Sequence, residues 1–502
     1  MKYIRTWVTD MKGHKHPAEA WQVDDAFGAT IRPTLPIKAR WMVATFRMDL
    51  EDRRVLAHGF QSWTGCIMAD KSTLMPRLNP IAAHIFKLKY YGDYHFCPYP
   101  NKRGVIHSHE YLRVFEGDRE VFFAGNLRPE LGYGIFEVDF NRNEVTYRVD
   151  IEGLTLQPEE PFNGISLYFG TSAGYFSRRG LDASHLSNLY GWTSWYYHYT
   201  RITEGIILDN LKALTEADLD LDVFQIDDGF QQSVGDWLIC NDKFPNGMKP
   251  IARSVKDKGL TPGLWLAPFG CERGSDLFRD HNDYLLRDAK GKLQTVGYNP
   301  TWSGMYYTLD IYNDGARDYL RRVFDTVVND WGFEFLKLDF LYCVAILPRE
   351  GKTRAMVMHD ALSFIREIRG DALLLGCGCP IGVAAGMVEY MRIGSDVSLM
   401  WEDGLLSFAN YRERVSTANS LQSTVNRAFL NGRAFLNDPD VFILRSTADI
   451  RMSYDQRMEL VDKNFKHGSL VFFSDDIREY TDEEMAILRR YLSTAKQKER
   501  AQ

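Results

Sequence analysis

Short runs of alternating hydrophobic and polar residues, separated by turn residues, fill the first third of the chain. In the run 143–150, for example, Val145, Tyr147 and Val149 alternate with charged and polar side chains. A period of two is typical of half-buried antiparallel strands. We therefore predict an all-β sandwich domain over residues 1–175.

From about residue 186 the pattern changes, because apolar strand-like runs now alternate with segments of helical periodicity. Helical patterns are clearest at 316–330, 357–369, 412–429, 455–466 and 483–492, and the polar end 493–502 is expected to fray. Buried strands are predicted at 190–196, 223–227, 262–268, 333–339, 373–378, 391–396, 434–437 and 469–474. Strands interleaved with helices in this way match a (β/α)8 TIM barrel better than an open doubly wound sheet. The predicted α/β barrel covers residues 186–495.

One loop of the predicted β domain carries a large aromatic side chain. Trp63 lies in the segment 58–66, between Gly59 and Gly65. A tryptophan in such a loop either covers the core of its own domain or reaches toward a neighbouring domain. The sequence pattern leaves both alternatives open.

Composition and charge argue against several classes of partner. The 502 residues include 60 Lys and Arg and 67 Asp and Glu, a formal net charge of -7, without a long block of one sign. This balance favours neither nucleic acid nor a membrane as a partner, and no run is long enough to span a bilayer. The N-terminus has no signal-peptide pattern, so we expect a cytoplasmic protein. The seven scattered cysteines are expected to be free thiols.

Charged side chains stand at the ends of several predicted barrel strands. Lys337 and Asp339 lie two positions apart, and so on one face of their strand, while Asp227, Asp228 and Asp396 end two others. A single pair fits a structural ion pair equally well, and a single aspartate fits a helix N-cap. Because barrel active sites are built from the carboxyl ends of strands, a ring of such residues favours a carboxylate-based active site.

Two facing carboxylates, one ionised and one protonated, are the recurrent arrangement for cleavage of glycosidic bonds. Asp339 stands beside the cation of Lys337, which favours the ionised form and the role of nucleophile. Asp396 is then the acid that protonates the leaving oxygen.

The same strand ends offer groups that suit a sugar ligand. Asp227 and Asp228, when ionised, are acceptors for vicinal hydroxyls. The ring of Trp265 offers a flat surface for the apolar face of a sugar. These residue types predict a carbohydrate as the ligand.

Metal catalysis is the alternative chemistry for a carboxylate site. The chain has no HxH strand ending and no HExxH helix, and its histidines lie apart from the carboxylate strand ends. Cys377 and Cys379 are too close in sequence for a structural zinc pair and lack a second pair. We therefore predict neither a metal nor any other cofactor.

These residues resemble the retaining α-galactosidases of glycoside hydrolase family 36, specifically the compact bacterial type. The resemblance covers residues 58–445 and implies a (β/α)8 catalytic barrel that works through a covalent galactosyl-enzyme without a cofactor. Its motifs, in order, are Gln61-Ser62-Trp63, Gly191-Trp192-Thr193-Ser194-Trp195-Tyr196, Gln225-Ile226-Asp227-Asp228, Gly235-Asp236-Trp237, Pro262-Gly263-Leu264-Trp265-Leu266-Ala267-Pro268-Phe269, Lys337-Leu338-Asp339-Phe340-Leu341, Leu375-Gly376-Cys377-Gly378, Met391-Arg392-Ile393-Gly394-Ser395-Asp396 and Asn437-Asp438-Pro439-Asp440.

The resemblance implies a role for each matched residue. Asp339 matches the nucleophile and Asp396 matches the acid/base. Trp63 matches a tryptophan that the β domain lends to the barrel, which would explain its position in a loop. The residues at substrate-binding positions are Trp63, Trp192, Asp227, Asp228, Trp265, Lys337, Cys377 and Arg392.

The chain departs from the family pattern in two respects. Many larger members read Trp-Phe-Glu-Pro-Glu and Lys-Trp-Asp-Met-Asn where this chain has Trp265-Leu266-Ala267-Pro268-Phe269 and Lys337-Leu338-Asp339-Phe340-Leu341. The resemblance therefore implies nothing about sugars beyond the first. The chain also ends soon after the last predicted helix, so we expect the C-terminal β domain of the family to be absent.

The predicted function is a retaining, exo-acting α-galactosidase that hydrolyses terminal α-linked galactose from oligosaccharides. An α-N-acetylgalactosaminidase and a galactosyl transferase are alternatives on the same site. A non-catalytic carbohydrate-binding relative is disfavoured, because it would lack one of the two carboxylates Asp339 and Asp396. The oligomeric state stays open, with a homo-oligomer as one alternative.

Overall fold

A computed structural model describes residues 1–88, 98–349 and 351–500 of the chain. None of the helices in these ranges has the length and hydrophobicity that crossing a bilayer requires. Cys97, one of the predicted free thiols, lies outside the described residues. The other six cysteines are free thiols, as predicted: Cys66, Cys240, Cys271, Cys343, Cys377 and Cys379.

Two antiparallel sheets occupy residues 2–170. Their strands are β1 Lys2–Asp10, β2 Lys15–Pro17, β3 Glu19–Val23, β4 Ala26–Ile31, β5 Ile37–Arg47, β6 Arg54–Ala57, β7 Ile67–Ala69, β8 Val105–His109, β9 Tyr111–Glu116, β10 Arg119–Asn126, β11 Gly134–Asp139, β12 Glu144–Asp150, β13 Thr155–Leu156 and β14 Phe162–Gly170. One sheet has the order β2-β1-β5-β12-β11-β8, with β13 beside β5, and the other has the order β3-β4-β14-β10-β9-β6-β7. The predicted alternation in 143–150 is confirmed, since Val145, Tyr147 and Val149 of β12 are buried.

The two sheets share one hydrophobic core, in which the rings of Phe27 on β4 and Phe46 on β5 lie 4.9 Å apart. Side chains that alternate along each strand can bury one face in this core and leave the other face in contact with solvent or a neighbour.

A curled sheet of nine parallel strands is formed by segments between residues 189 and 473. The strands after residue 188 are β15 Leu189–Thr193, β16 Val223–Ile226, β17 Thr261–Leu266, β18 Gly270–Glu272, β19 Gly297–Asn299, β20 Gly304–Thr308, β21 Phe335–Leu338, β22 Leu373–Gly376, β23 Tyr390–Arg392, β24 Leu436–Asp438, β25 Val441–Phe442 and β26 Leu470–Phe473. The parallel order is β24-β23-β22-β21-β17-β16-β15-β26-β25, and β18, β20 and β19 form a small antiparallel sheet. Each predicted barrel strand overlaps one strand of the parallel sheet, whereas β25 was too short to be predicted.

In the described part of the chain, two short α-helices precede the parallel sheet, and helices lie between most of its strands. The α-helices are Pro80–Ile85, Ser172–Arg178, Trp195–His198, Glu204–Glu216, Lys249–Lys256, Asp276–Asp280, Asp314–Asp325, Arg354–Ile368, Ile381–Ala384, Gly404–Phe408, Thr417–Arg427, Tyr454–His467 and Asp482–Arg500. A π-helical turn, Thr326–Asp330, extends one of them, and the 3₁₀ helices are Tyr199–Arg201, Asn282–Tyr284, Leu341–Ala345, Ala428–Leu430 and Ile477–Glu479. Ser453 begins Tyr454–His467 with a capping box to Gln456.

The polar end of the chain differs from the prediction, because residues 493–500 continue the last helix instead of fraying. Lys496 Nζ lies 2.6 and 2.7 Å from the two carboxylate oxygens of Asp222, which precedes β16. Glu499 accepts a hydrogen bond at 2.7 Å from the hydroxyl of Tyr190 on β15. These contacts tie the helix to the sheet, so its polar composition does not prevent it from ordering.

Candidate active site

Asp339 follows β21 and is held by two uncharged donors. Its Oδ2 accepts a hydrogen bond at 3.0 Å from the indole Nε1 of Trp265 on β17. Its Oδ1 accepts one at 2.9 Å from the backbone N–H of Phe340. Phe340 adopts a left-handed backbone conformation with φ 54°, which turns the chain immediately after the carboxylate. Both donors fix the direction of the Asp339 carboxylate without neutralising its charge.

Lys337 pairs with a different carboxylate from the one expected. Its Nζ lies 2.8 Å from Oδ2 of Asp227, and in the described ranges it forms no ion pair with Asp339. Burial alone would lower the pKa of Lys337, but the carboxylate of Asp227, with Asp339 as a weaker contributor, raises it well above its usual value. Lys337 is therefore a permanent cation that links the ends of β21 and β16.

Asp227 is fixed by its own strand, β16, and by the end of the neighbouring strand β15. Gln225 donates from Nε2 both to Oδ2 of Asp227 at 2.8 Å and to the hydroxyl of Thr193 at 3.1 Å. The backbone N–H of Asp227 donates at 2.9 Å to the hydroxyl of Ser194. Thr193 and Ser194 end β15, so the two adjacent strand ends define where the Asp227 carboxylate lies.

Asp228 is buried beside Asp227 and has its own pair of neutral donors. Gln231 donates from Nε2 to its Oδ1 at 2.6 Å, and Trp302 donates from Nε1 to its Oδ2 at 3.2 Å. Burial raises the pKa of Asp228 to about 6, although both hydrogen bonds oppose the shift. Near neutral pH the carboxylate is therefore ionised and able to accept further hydrogen bonds.

Asp396 lies on the other side of the cluster and is held by a cation. Nη1 of Arg392 donates to its Oδ1 at 2.9 Å. The same guanidinium lies 2.9 Å from Oδ2 of Asp438 and 2.8 Å from Oδ1 of Asp440. Arg392 was predicted to bind a substrate hydroxyl; in the structure its guanidinium contacts these three carboxylates, and its role toward a ligand stays a prediction.

The pKa of Asp396 is raised even though the side chain pairs with the cation of Arg392. Desolvation in the site raises the pKa of Asp396; Arg392 lowers it, and the negative charge of Asp339 raises it. The Asp396 side chain is nevertheless 36% exposed, whereas that of Arg392 is 4% exposed. Asp396 is thus the most solvent-accessible side chain of this network.

Trp63 reaches the parallel sheet from the segment 58–66. Its Nε1 donates to Sγ of Cys377, at the end of β22, at 3.3 Å. Its ring centroid lies 5.0 Å from that of Phe340. Of the two alternatives left open by the sequence, these contacts with Cys377 and Phe340 favour the second, in which Trp63 reaches beyond its own antiparallel sheets. Burial raises the pKa of the Cys377 thiol well above its usual value, so the thiol stays neutral.

Trp192 is the predicted binding residue that the structure places away from this cluster. Its side chain is fully buried, and its ring stacks on Phe224 with centroids 4.6 Å apart. Its Nε1 donates to the backbone carbonyl of Asp475 at 3.0 Å. Successive strand residues face opposite sides, and Thr193 is the one on the side of Gln225 and Asp227. This corrects the prediction for Trp192, which has neither surface nor donor left for a sugar.

Two contributors to the site were missed by the sequence analysis. Gln225 lies within a recognised motif, but its bond to Asp227 depends on the register between β15 and β16, which pairs it with Thr193. Trp302 lies in the turn between β19 and β20, among Asn299, Pro300, Ser303 and Gly304. A tryptophan among turn residues was the signal that singled out Trp63, and it applies equally to Trp302.

The donor set of the cluster does not suit a metal ion. Across the described parts of the chain, no three or more histidine, cysteine, aspartate or glutamate side chains are grouped so that they could hold one. Around Arg392 and Lys337, the carboxylates are arranged about cationic side chains instead. The arrangement suits hydrogen bonding to hydroxyl groups and proton transfer at Asp396.

Residues 183–365 match the Melibiase family. Among curated proteins, α-galactosidase 1 of Pediococcus pentosaceus is 26% identical over 218 residues, which are 40% of this chain and 28% of that protein. α-Galactosidase AgaA of Geobacillus stearothermophilus is 28% identical over 243 residues, 47% of this chain and 31% of that protein. The chain is related to the family 36 α-galactosidases.

Solved structures of α-galactosidases have the same fold. An α-galactosidase of Thermus thermophilus, solved with p-nitrophenyl α-D-galactopyranoside, has a TM-score of 0.76 and 25% identity, and the match covers 95% of each chain. The family 36 enzyme AgaA has a TM-score of 0.62 at 14% identity, with 96% of this chain and 67% of that chain covered. By sequence, the matches cover less than a third of the length of the first curated relatives.

Proposed function

We propose that the protein is a retaining, exo-acting α-galactosidase. The observation that carries the proposal is the contrast between two carboxyl groups. Asp339 follows β21, and Asp396 lies in the segment after β23. Among the described residues, the donors to Asp339 are neutral, while Asp396 is held by Arg392 and has a raised pKa. One ionised and one protonated carboxyl are what double displacement at an anomeric carbon requires.

In the proposed first step, a carboxylate oxygen of Asp339 forms a bond to the anomeric carbon of galactose. The bond from that carbon to the leaving oxygen breaks, and the leaving oxygen takes the proton of Asp396. The negative charge of Asp339 is consumed in the resulting ester. Because that charge helps to raise the pKa of Asp396, its loss favours the ionised Asp396 that the second step needs.

In the proposed second step, the Asp396 carboxylate takes a proton from a water molecule as its oxygen attacks the anomeric carbon. The ester bond to Asp339 breaks, and galactose leaves with the anomeric configuration that it had in the substrate. Both carboxyl groups are then restored, and no other reactant is needed.

Recognition of galactose is assigned to the groups around these two carboxyls. Asp227 and Asp228 would accept hydrogen bonds from the hydroxyls at positions 4 and 6, and Lys337 would both hold Asp227 and donate to the sugar. Trp265 would lie against the sugar while its Nε1 holds Asp339. Trp63 with Cys377 would line the site beside Phe340.

The finer architecture belongs to the same proposal. We assign residues 1–175 to a β-sandwich domain and 186–495 to a closed (β/α)8 catalytic barrel. The shared core of the two antiparallel sheets and the curled nine-stranded parallel sheet support this division. The contact from Trp63 to Cys377 is the reason the β domain would be needed for a complete site.

The test is hydrolysis of p-nitrophenyl α-D-galactopyranoside, followed by proton NMR of the first galactose released. The α-anomer should appear before mutarotation, and raffinose and stachyose should release galactose from their non-reducing ends. These sugars are chosen because solved relatives were crystallised with them. First release of the β-anomer would reject the retaining mechanism, and no release from any α-galactoside would reject the function.

An α-N-acetylgalactosaminidase is the second candidate, because the A type blood α-D-galactosamine galactosaminidase of Flavonifractor plautii is 31% identical over 163 residues. The match covers 30% of this chain and 14% of that protein. Turnover of the matching p-nitrophenyl α-N-acetylgalactosaminide in the same assay separates the two candidates. A higher kcat/KM for that substrate would select the second.

A further inference from the structure

Trp302 brings an indole from the small antiparallel sheet into the candidate active site. It lies between β19 and β20 and is 8% exposed. Its Nε1 donates to Asp228 at 3.2 Å. Its ring centroid lies 4.9 Å from Phe340 and 6.5 Å from Trp265, the two residues that donate to Asp339. Trp302 therefore connects the Asp228 carboxylate with the surroundings of Asp339.

The turn that carries Trp302 is anchored at several points. The backbone N–H of Ser303 donates to the carboxylate of Glu272 on β18 at 2.5 Å, and Ser303 Oγ accepts from the backbone of Gly274 at 2.9 Å. Tyr306 on β20 packs against the Trp302 ring with centroids 4.8 Å apart. The position of the indole is thus set by the small sheet and is not a free rotamer choice.

The charges that face Asp228 explain why a neutral donor matters there. Asp227 and Glu272 are nearby carboxylates whose charges raise the pKa of Asp228, and Lys243 is a nearby cation. The donors that touch the carboxylate, Gln231 and Trp302, are uncharged. They orient the carboxylate oxygens and favour the ionised form, while leaving lone pairs for a ligand hydroxyl.

We propose that Trp302 is a specificity-determining residue of the α-galactoside site: its indole N–H orients Asp228 toward a sugar hydroxyl, and its ring bounds the space beside that hydroxyl. This inference rests on the proposed function, because it takes the ligand to be an α-galactoside. It adds a positioning residue from outside the parallel sheet and outside the motifs of the family resemblance.

The inference predicts different effects for loss of the N–H and loss of the ring. Trp302→Phe keeps an aromatic ring and removes the donor, so kcat/KM for p-nitrophenyl α-D-galactopyranoside should fall about tenfold. Trp302→Ala also opens the space, and kcat/KM should fall about 100-fold. On an Asp228→Asn background, Trp302→Phe should change kcat/KM less than about twofold, because the two residues act as a unit.

Two further readouts separate this role from a structural one. Removing the donor should raise the pKa of Asp228 above about 6, so the acidic limb of the kcat/KM profile of Trp302→Phe should move to higher pH. The second readout is the ratio of kcat/KM for the galactoside to kcat/KM for a deoxy analogue. In Trp302→Phe this ratio should fall for either the 4-deoxy or the 6-deoxy analogue, namely the one that lacks the hydroxyl bound by Asp228. A loosened fold would instead lower the activity equally at every pH and for every substrate.

Tyr307→Phe is the matched control, because Tyr307 is on the same small sheet but packs against Phe278 with ring centroids 5.1 Å apart. It should retain the parent activity. If Trp302→Ala does not fold, as judged by its thermal unfolding, Trp302→Phe decides alone. An active parent enzyme with an unchanged Trp302→Phe variant overturns this inference and leaves the proposed function standing. A parent enzyme without α-galactosidase activity overturns both.

Discussion

The two carboxyls of the candidate active site are held in opposite ways. Asp339 is bonded by an indole N–H and a backbone N–H, both neutral. Asp396 is bonded by Arg392, and that cation is itself shared with Asp438 and Asp440. Neutral donors orient a carboxylate and leave its charge available, whereas a cation shared among three carboxylates neutralises only part of the charge of each.

This difference suits the different tasks proposed for the two groups. A nucleophile must stay ionised and keep a fixed orientation. Because its charge is lost when the ester forms, neutral hydrogen-bond partners are favourable, since no ion pair is broken in that step. An acid/base must change its protonation state in each half of the reaction, so its pKa has to respond to nearby charge. Desolvation and the charge of Asp339 raise the pKa of Asp396, which meets that need.

The strongest test of the comparison is Asp339→Asn. If Asp339 is the nucleophile, kcat for p-nitrophenyl α-D-galactopyranoside should fall at least about 10⁴-fold, because no other carboxylate is oriented by the same donors. External azide should then restore turnover and yield a β-galactosyl azide, detected by NMR. Asp371→Asn, an exposed aspartate beside β22, is the control and should keep the parent rate. Parent-like turnover by Asp339→Asn would show that the nucleophile is another group.

A smaller and substrate-dependent effect is expected for Asp396→Asn. The variant lacks the acid, so turnover of raffinose, whose leaving group needs a proton, should fall about 10²- to 10⁴-fold. The p-nitrophenyl leaving group needs little protonation, so its first step should be much less affected and a burst of p-nitrophenol should precede slow turnover. Stopped-flow absorbance measures the burst. An equal loss of kcat/KM, which reports the first step, for both substrates would contradict the role of acid.

The third prediction concerns Asp440, which shares the guanidinium of Arg392 with Asp396. Burial raises the pKa of Asp440 to about 7, and its Oδ2 accepts from the backbone N–H of Val397 at 2.9 Å and from the hydroxyl of Tyr196. In Asp440→Asn the charge of Arg392 is less neutralised and stabilises the Asp396 carboxylate more strongly. The pKa of Asp396 should therefore fall.

The measurable consequence is a shift in the basic limb of the pH profile of kcat/KM. If Asp396 is the acid, that limb reports loss of its proton in the free enzyme, so in Asp440→Asn it should move to lower pH by about one unit, with up to about a tenfold loss of activity on its alkaline side. Below about pH 6 the parent Asp440 is itself protonated, and the two profiles should converge. Asp475→Asn, which removes the carboxylate beside a second buried arginine, Arg445, is the control. It should lower thermal stability without moving the limb.

Sequence patterns predicted the strands well, because most strands of the parallel sheet are short apolar runs bounded by polar residues. They also identified Asp227, Asp228, Asp339 and Asp396 as strand-end carboxylates that the structure brings into one region. The partner of Lys337 was not predictable, because it depends on which strand lies opposite β21 and on side-chain reach. The direction of Trp192 and the turn around Trp302 depend in the same way on strand register and on the small inserted sheet.

The smallest effect is expected for Trp63→Phe, which tests the contribution of the antiparallel half to the site. The guanidinium of Arg427 holds this loop, donating to the backbone carbonyls of Ser62 at 2.7 Å and Ile393 at 2.7 Å. Phenylalanine keeps a ring against Phe340 and loses only the N–H bond to the Cys377 sulfur, a weak acceptor. KM for the aryl galactoside should therefore rise about threefold with kcat nearly unchanged. Trp41→Phe on β5, remote from the loop, should change neither constant. A loss in kcat beyond about 30-fold would mean that the Trp63 N–H contacts the reacting sugar directly, and the neutral support of Asp339 would then extend to the substrate itself.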